Sequence, residues 1–132
     1  MLAHAADLAV FDERTRVLPL GEHMAVFEDV RGDKTIDDVT SSALQGSFRP
    51  HDKAVLNAGY SRSAFWLRID LQYRPRGMAS GNPQSWLLEL AYPPLDHLEL
   101  YEEGGDGRFH LSHRTGDALP FSSREIRQNN YP

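Results

Sequence analysis

Phe65–Tyr73, FWLRIDLQY, alternates with a period of two, the repeat of a β-strand whose two faces differ. Phe65, Leu67, Ile69, Leu71 and Tyr73 fall on one side, and Trp66, Arg68, Asp70 and Gln72 on the other. The tryptophan is the misfit, because it shares a face with an arginine, an aspartate and a glutamine. Similar runs follow downstream. SWLLELAY (85–92) and LDHLELYE (95–102) read as strands, EGGDG (103–107) as a glycine hairpin, and RFHLSH (108–113) as the returning strand. In the last pair Leu98, Leu100, Phe109 and Leu111 are expected inward, with His97, Glu99, Tyr101, His110 and Ser112 outward. Upstream, GEHMAVFEDV (21–30) reads as a strand and RGDK as its turn, Gly-Asp being ordinary turn chemistry. Thr35 and Asp38 form a capping-box start for a short helix over about 35–44, ended by Gly46. Short strands separated by polar turns point to an all-β, antiparallel β-sandwich with one short helix.

Composition sets limits. The 132 residues are one domain's worth, with 40% hydrophobic and 25% charged residues. A net charge of -5, with basic residues scattered, argues against a nucleic-acid partner. There is no cysteine, so no disulfide or thiolate site is available. No apolar run approaches the ~20 residues that span a bilayer. Ala3-His4-Ala5 followed by Ala6 has the small-x-small form that signal peptidase cuts. Residues 1–16 are therefore read as a signal-peptide stub and N-terminal extension, and 17–132 as the folded sandwich. An unstructured alanine-rich start accounts for them equally well.

Three readings of Trp66 stay open. Same-face side chains on a strand stand roughly 6.6 Å apart, so a ring and a bidentate polar group can meet one pyranose-sized ligand. Trp66, Arg68 and Asp70 on one strand, with His97, Glu99 and Tyr101 on another, form such a set. The rings would stack on sugar C–H faces, and the polar groups would bond hydroxyls. Alternatively the segment 35–60 covers this face and makes Trp66 a core residue, or the face is a homodimer contact. Catalytic readings are weaker. His110 and His113 should point to opposite faces of a strand, which disfavours a shared metal. Glu102, Glu103 and Asp106 suit a solvated acidic hairpin better than a Ca²⁺ loop, and a Glu89/Glu99 glycosidase pair rests on residue type alone. No phosphate loop, GxSxG motif or cysteine nucleophile is present. The chain reads as a non-enzyme with no cofactor.

Several stretches in order resemble one family. They are LPLGEHMAVFEDVRGDKTIDDV, SFRP, AGYSRSAFWLRIDLQY, SWLLELAYPPLDHLELY and RTGDALPFSSREI, spanning about residues 17–131. The set is similar to the type-two extracellular sensor domain of bacterial seven-transmembrane receptors with diverse intracellular signalling modules, RetS-like hybrid sensor kinases resembling it best. The resemblance implies a jelly-roll-like sandwich similar to carbohydrate-binding modules, in the periplasm, as part of an inner-membrane protein. It implies a carbohydrate-like ligand and a partner in the receptor's own transmembrane region, with a histidine kinase or diguanylate cyclase as output. Its pattern maps onto Trp66, Arg68, Asp96, Tyr101, Gly116, Asp117 and Arg124, with Arg124 equally suited to pair with Asp117. The family pattern runs on through further strands after R-x-I, whereas this sequence ends at NNYP. The last residues are therefore expected to be edge-exposed or paired with another chain.

Overall fold

A computed structural model describes residues 7–77, 85–91 and 94–123. The chain divides into two compact units, Met1–Gln84 and Ser85–Pro132. The first contains β1 (Ala9–Phe11), β2 (Met24–Asp29), α1 (Ile36–Thr40), α2 (Ser42–Gln45), β3 (Arg49–Pro50), β4 (Ala64–Ile69) and β5 (Leu71–Tyr73). The second contains β6 (Leu98–Glu103) and β7 (Phe109–Thr115). Strands in sheets dominate and the helices are short, so the all-β expectation holds.

The run 65–73 is a strand throughout except at Asp70, where it changes partners. β4 pairs antiparallel with β2, setting Phe27 opposite Trp66 and Ala25 opposite Arg68. β3 lies on the other edge of β2, giving the order β3-β2-β4. β5 instead runs parallel to β1, with Ala9 opposite Leu71 and Phe11 opposite Tyr73. At the joint the Asp70 carbonyl accepts the Ala9 N–H at 2.9 Å. Ala9 is fully buried, and the Phe11 and Tyr73 rings tilt together at 5.5 Å. The strand at 9–11 thus bonds into the first unit, although it falls inside the stretch read as an N-terminal extension.

The core distinguishes the readings of this face. Residues opposite each other in an antiparallel pair share a face, so Ala25, Phe27, Trp66 and Arg68 lie together. On that face sits the buried cluster of Ala25, Val39 and Phe48, with Phe27, Ile36 and Trp66 packed against it. The face that carries Trp66 and Arg68 is therefore covered, while Asp70 stays exposed. On the other face of the pair Met24, opposite Ile69, is buried too, whereas Leu71 and Tyr73, beyond the change of partner, are 52% and 46% exposed.

The cover forms for local reasons. The Thr35 hydroxyl accepts the Asp38 N–H, and the Asp38 carboxylate accepts the Thr35 N–H at 2.8 Å, completing a capping box. This places Ile36 and Val39 toward the sheet. At Ser41 the backbone becomes extended, which splits the single helix expected over 35–44 into α1 and α2. Asp29 anchors the preceding turn. Its carboxylate accepts N–H groups of Gly32 and Lys34 at 3.0 and 2.9 Å, while Arg31 and Lys34 both pair with Asp33.

The expected strand over 85–92 is different. Residues 85–91 join no ladder among the described residues, and Leu87 and Leu88 are exposed. Alternating apolar residues form a strand only where a neighbour supplies backbone partners, and none pairs with this stretch among the described residues. The C-terminal segment expected at an edge, and Arg124, lie outside the described residues.

Two tests follow from the first unit. A Cβ added at Gly21 would lie 2.0 Å from the Ala54 carbonyl oxygen, whereas one at Gly46 meets nothing within 4 Å. Gly21→Ala is expected to lower stability by about 1–3 kcal/mol in urea titration, with Gly46→Ala close to neutral. The second test concerns acid. Burial pushes the Asp29 carboxyl up, but N–H donors from Lys34, Gly32 and Asp33 and the Lys34 charge outweigh it, leaving the group below its ordinary value. A folded pKa below the unfolded one gives stabilisation that is complete above about 3.8 and is lost as pH falls through the folded value. The thermal midpoint should stay flat from about pH 7 to 5 and drop below about pH 4. Asp29→Asn should lower it at neutral pH and flatten that drop.

Candidate functional site

The residues expected to bind ligand fall into two groups, one in each unit. In the first unit Trp66 and Arg68 stand on the covered face of β4, both half-buried. Trp66 packs on the cluster beneath α1. The Arg68 guanidinium lies 5.2 Å from the centre of the Phe48 ring, a cation–π contact. Both side chains therefore help hold the cover down, as the core reading of this face anticipates. Asp70 is exposed at the joint between β4 and β5.

The second group is built on the β6–β7 hairpin. Gly104 N–H donates to the Arg108 carbonyl at 2.8 Å, and Gly107 takes φ +73°, closing the turn expected at EGGDG. The Asp106 carboxylate accepts the Arg108 N–H and contacts His110 Nε2, both at 3.1 Å, and these two contacts hold its pKa down despite a smaller opposing effect of burial.

The hairpin sets Glu99 opposite Arg114. One Glu99 carboxylate oxygen pairs with Arg114 at 2.8 Å, and the other accepts the Tyr101 hydroxyl at 2.6 Å. A phenol, a carboxylate and a guanidinium thus share one face, with both carboxylate oxygens engaged. Hydrogen bonding to Glu99, then burial, then the Glu99 charge raise the Tyr101 pKa above its ordinary value, with Arg114 opposing. Arg114 is the partner that residue reading missed. Counting back from the turn would place His113 across from Glu99, and the extra residue in β7 moves the partner to Arg114.

A β-bulge changes the rest of that face. Leu100 pairs with His113, but Tyr101 pairs with Leu111, so Ser112 is an extra residue in β7. Beyond it the alternation slips by one. Leu111 and Phe109 come to the side of Tyr101 and Glu103, against the expectation that they join Leu98 and Leu100. The same slip puts His110 and His113 on one face, opposite Glu102 and Leu100, where simple alternation had separated them. Among the described residues no group of three or more His, Asp or Glu is placed to hold a metal.

The TGD stretch is structural. Gly116 is buried at φ +134°, and a Cβ there would come within 2.3 Å of the Asp96 carbonyl oxygen and 2.9 Å of the His97 Cα. Asp117 and Ala118 donate backbone N–H groups to the carbonyls of Leu95 and Asp96 at 2.8 and 3.0 Å. This turn locks the segment that carries Asp96 and His97, both exposed, at the entry to β6. It is also the junction that brings β7 back beside that segment.

A family model of the 7TMR-DISM extracellular 2 domain matches residues 21–132, most of the chain and both units. The chain belongs to this family. It is an extracellular sensor domain of a seven-transmembrane receptor, placed in the periplasm, and the family is one of sensor domains rather than catalysts. No helix among the described residues is long and apolar enough to cross a membrane. The chain matches no curated protein.

The Tyr101–Glu99 bond gives this 7TMR-DISM domain a spectroscopic handle. A raised phenol pKa means that the bond stabilises the fold at pH below 10.0 and is lost as pH rises through the folded value. Site-resolved NMR titration should show Tyr101 ionising above the ordinary phenol value of 10.0. Glu99→Ala should bring Tyr101 back toward its ordinary value.

Proposed function

We propose that this domain senses a carbohydrate-like ligand in the periplasm and biases a cytoplasmic histidine kinase or cyclase. The observation that carries the reading is the Glu99–Tyr101–Arg114 set on one face of the hairpin, with Phe109 and Leu111 beside it. A sugar offers apolar C–H patches edged with hydroxyls. Tyr101, Phe109 and Leu111 complement the patches, while Glu99 and Arg114 complement the hydroxyls. His97 enters from the same segment. Trp66, Arg68, Asp70 and Arg124 belong to the wider set proposed here, with Trp66 and Arg68 reached only if the cover of α1 and Phe48 lifts. A jelly-roll-like closure of the whole domain is part of the same reading, as is a non-enzymatic role. The choice of kinase or cyclase output rests on the resemblance to receptors of this kind.

The test is calorimetric titration of the 132-residue chain with monosaccharides and envelope glycans. Saturable binding is expected with at least one glycan. Tyr101→Ala and Arg114→Ala should each weaken it about tenfold, the scale of a lost hydrogen bond to a charged group. Trp66→Phe should leave it within about twofold if the core role of that ring dominates. An absence of saturation across the panel removes the ligand reading.

A second reading has its own support. Leu87 and Leu88 are 70% and 51% exposed in a stretch without a ladder among the described residues, which suits a contact between copies of the domain. Sedimentation across a concentration series distinguishes it. A dimer that Leu87→Ser weakens favours an interaction module, and a monomer at all concentrations removes that reading.

A further inference from the structure

The first unit contains a pocket of about 330 Å³ that the hairpin site does not use, lined by Leu18, Pro19, Glu22, His23 and Ala54. Its walls are held together by backbone contacts. Residues Gly21–His23 form a 3-10 turn, closed by the His23 N–H donating to the Leu20 carbonyl at 2.9 Å. Gly21 is buried so tightly against Lys53 and Ala54 that no side chain fits between them. His51 then fastens the two segments twice. Its backbone N–H donates to the Met24 carbonyl at 2.9 Å, and its Nδ1 lies 2.8 Å from the Gly21 carbonyl. A carbonyl only accepts, so His51 Nδ1 carries the proton. The two segments that line the pocket are thereby cross-bonded through His51.

The lining chemistry is one-sided. Leu18, Pro19 and Ala54 supply apolar surface, and among the described residues no lysine or arginine contributes. Glu22 is exposed, and its carboxylate has neither an ion pair nor a hydrogen bond among the described residues. His23 Nδ1 is buried with no hydrogen-bond partner among them, so turning the imidazole forfeits no bond at that atom. The Glu22 carboxylate can accept from a ligand, and among the described residues only one sign of charge is offered to it. A volume of this size suits a small molecule, and an apolar wall beside an unpaired carboxylate selects an apolar body carrying a cationic head.

We propose that this pocket binds a small apolar primary amine, its hydrocarbon part against Leu18, Pro19 and Ala54 and its ammonium group at Glu22. The site lies wholly within the first unit and is independent of the hairpin reading.

The experiment is amide and imidazole NMR of the 132-residue chain titrated with phenethylamine, with phenylacetate as the control of like shape and opposite charge. Phenethylamine should give saturable shifts at Leu18, Glu22, His23 and Ala54, and phenylacetate none. Glu22→Gln should weaken binding roughly three-fold, as expected for one exposed ion pair. Ala54→Phe should fill the cavity and abolish the shifts. Tyr101→Ala, in the other unit, should leave them unchanged, so failure here and failure of the sugar reading are separate results. Equal response to phenylacetate, no saturation with phenethylamine, or shifts that survive Ala54→Phe would each overturn the proposal.

Discussion

The first unit depends on the closure of α1 and Phe48 over the middle of β2 and β4. Ala25, with no side-chain bulk, leaves room beneath Phe48 and Val39, while Phe27 and Trp66 close the same patch. The cluster is small, so each of its members matters. The Phe27 and Phe48 rings tilt at 44° with centres 5.7 Å apart, a favoured aromatic geometry. Arg68 completes the patch by laying its charge over Phe48 rather than into water. The capping box at Thr35 and the carboxylate of Asp29 determine whether α1 arrives at the right angle to deliver Val39.

This arrangement explains why FWLRIDLQY invites a mistaken choice of sides. Counting polar residues assigns Trp66, Arg68 and Asp70 to solvent. Arg68, however, carries a long hydrocarbon stem and a flat cation able to cover a ring, so it can stand on a buried face. Asp70 is no guide either, because the strand leaves β2 just before it. The strands β2, β4, β6 and β7, the hairpin at Gly104–Gly107 and the capped helix were all legible, because each is written in local chemistry. Sidedness depends on a distant segment folding over the sheet, and nothing within nine residues records that.

The second unit teaches a related lesson. A period of two holds only while both strands advance in step, and the extra Ser112 breaks it. Nothing in RFHLSH distinguishes a strand with a bulge from one without. Counting from the turn gives the partners of Phe109 and Leu111, which lie before the bulge, whereas it misses Arg114, which lies beyond it. The stretch 85–91 makes the complementary point: it is apolar on both faces apart from Ser85 and Glu89, yet a ladder also requires an available neighbour. Gly116 and Asp117 were legible as a turn, and their closeness to Asp96 and His97 shows what that turn supports.

The change of partner at Asp70 has a mechanical side. One unbroken length of backbone serves as the outer rail of the β2 sheet up to Ile69 and as the companion of β1 from Leu71 onward. Covalent geometry does not stretch, so loosening either rail alters the tension on the other. Amide exchange at Arg68 and at Gln72 should therefore rise and fall together, as two spans of a bridge sharing a single pier.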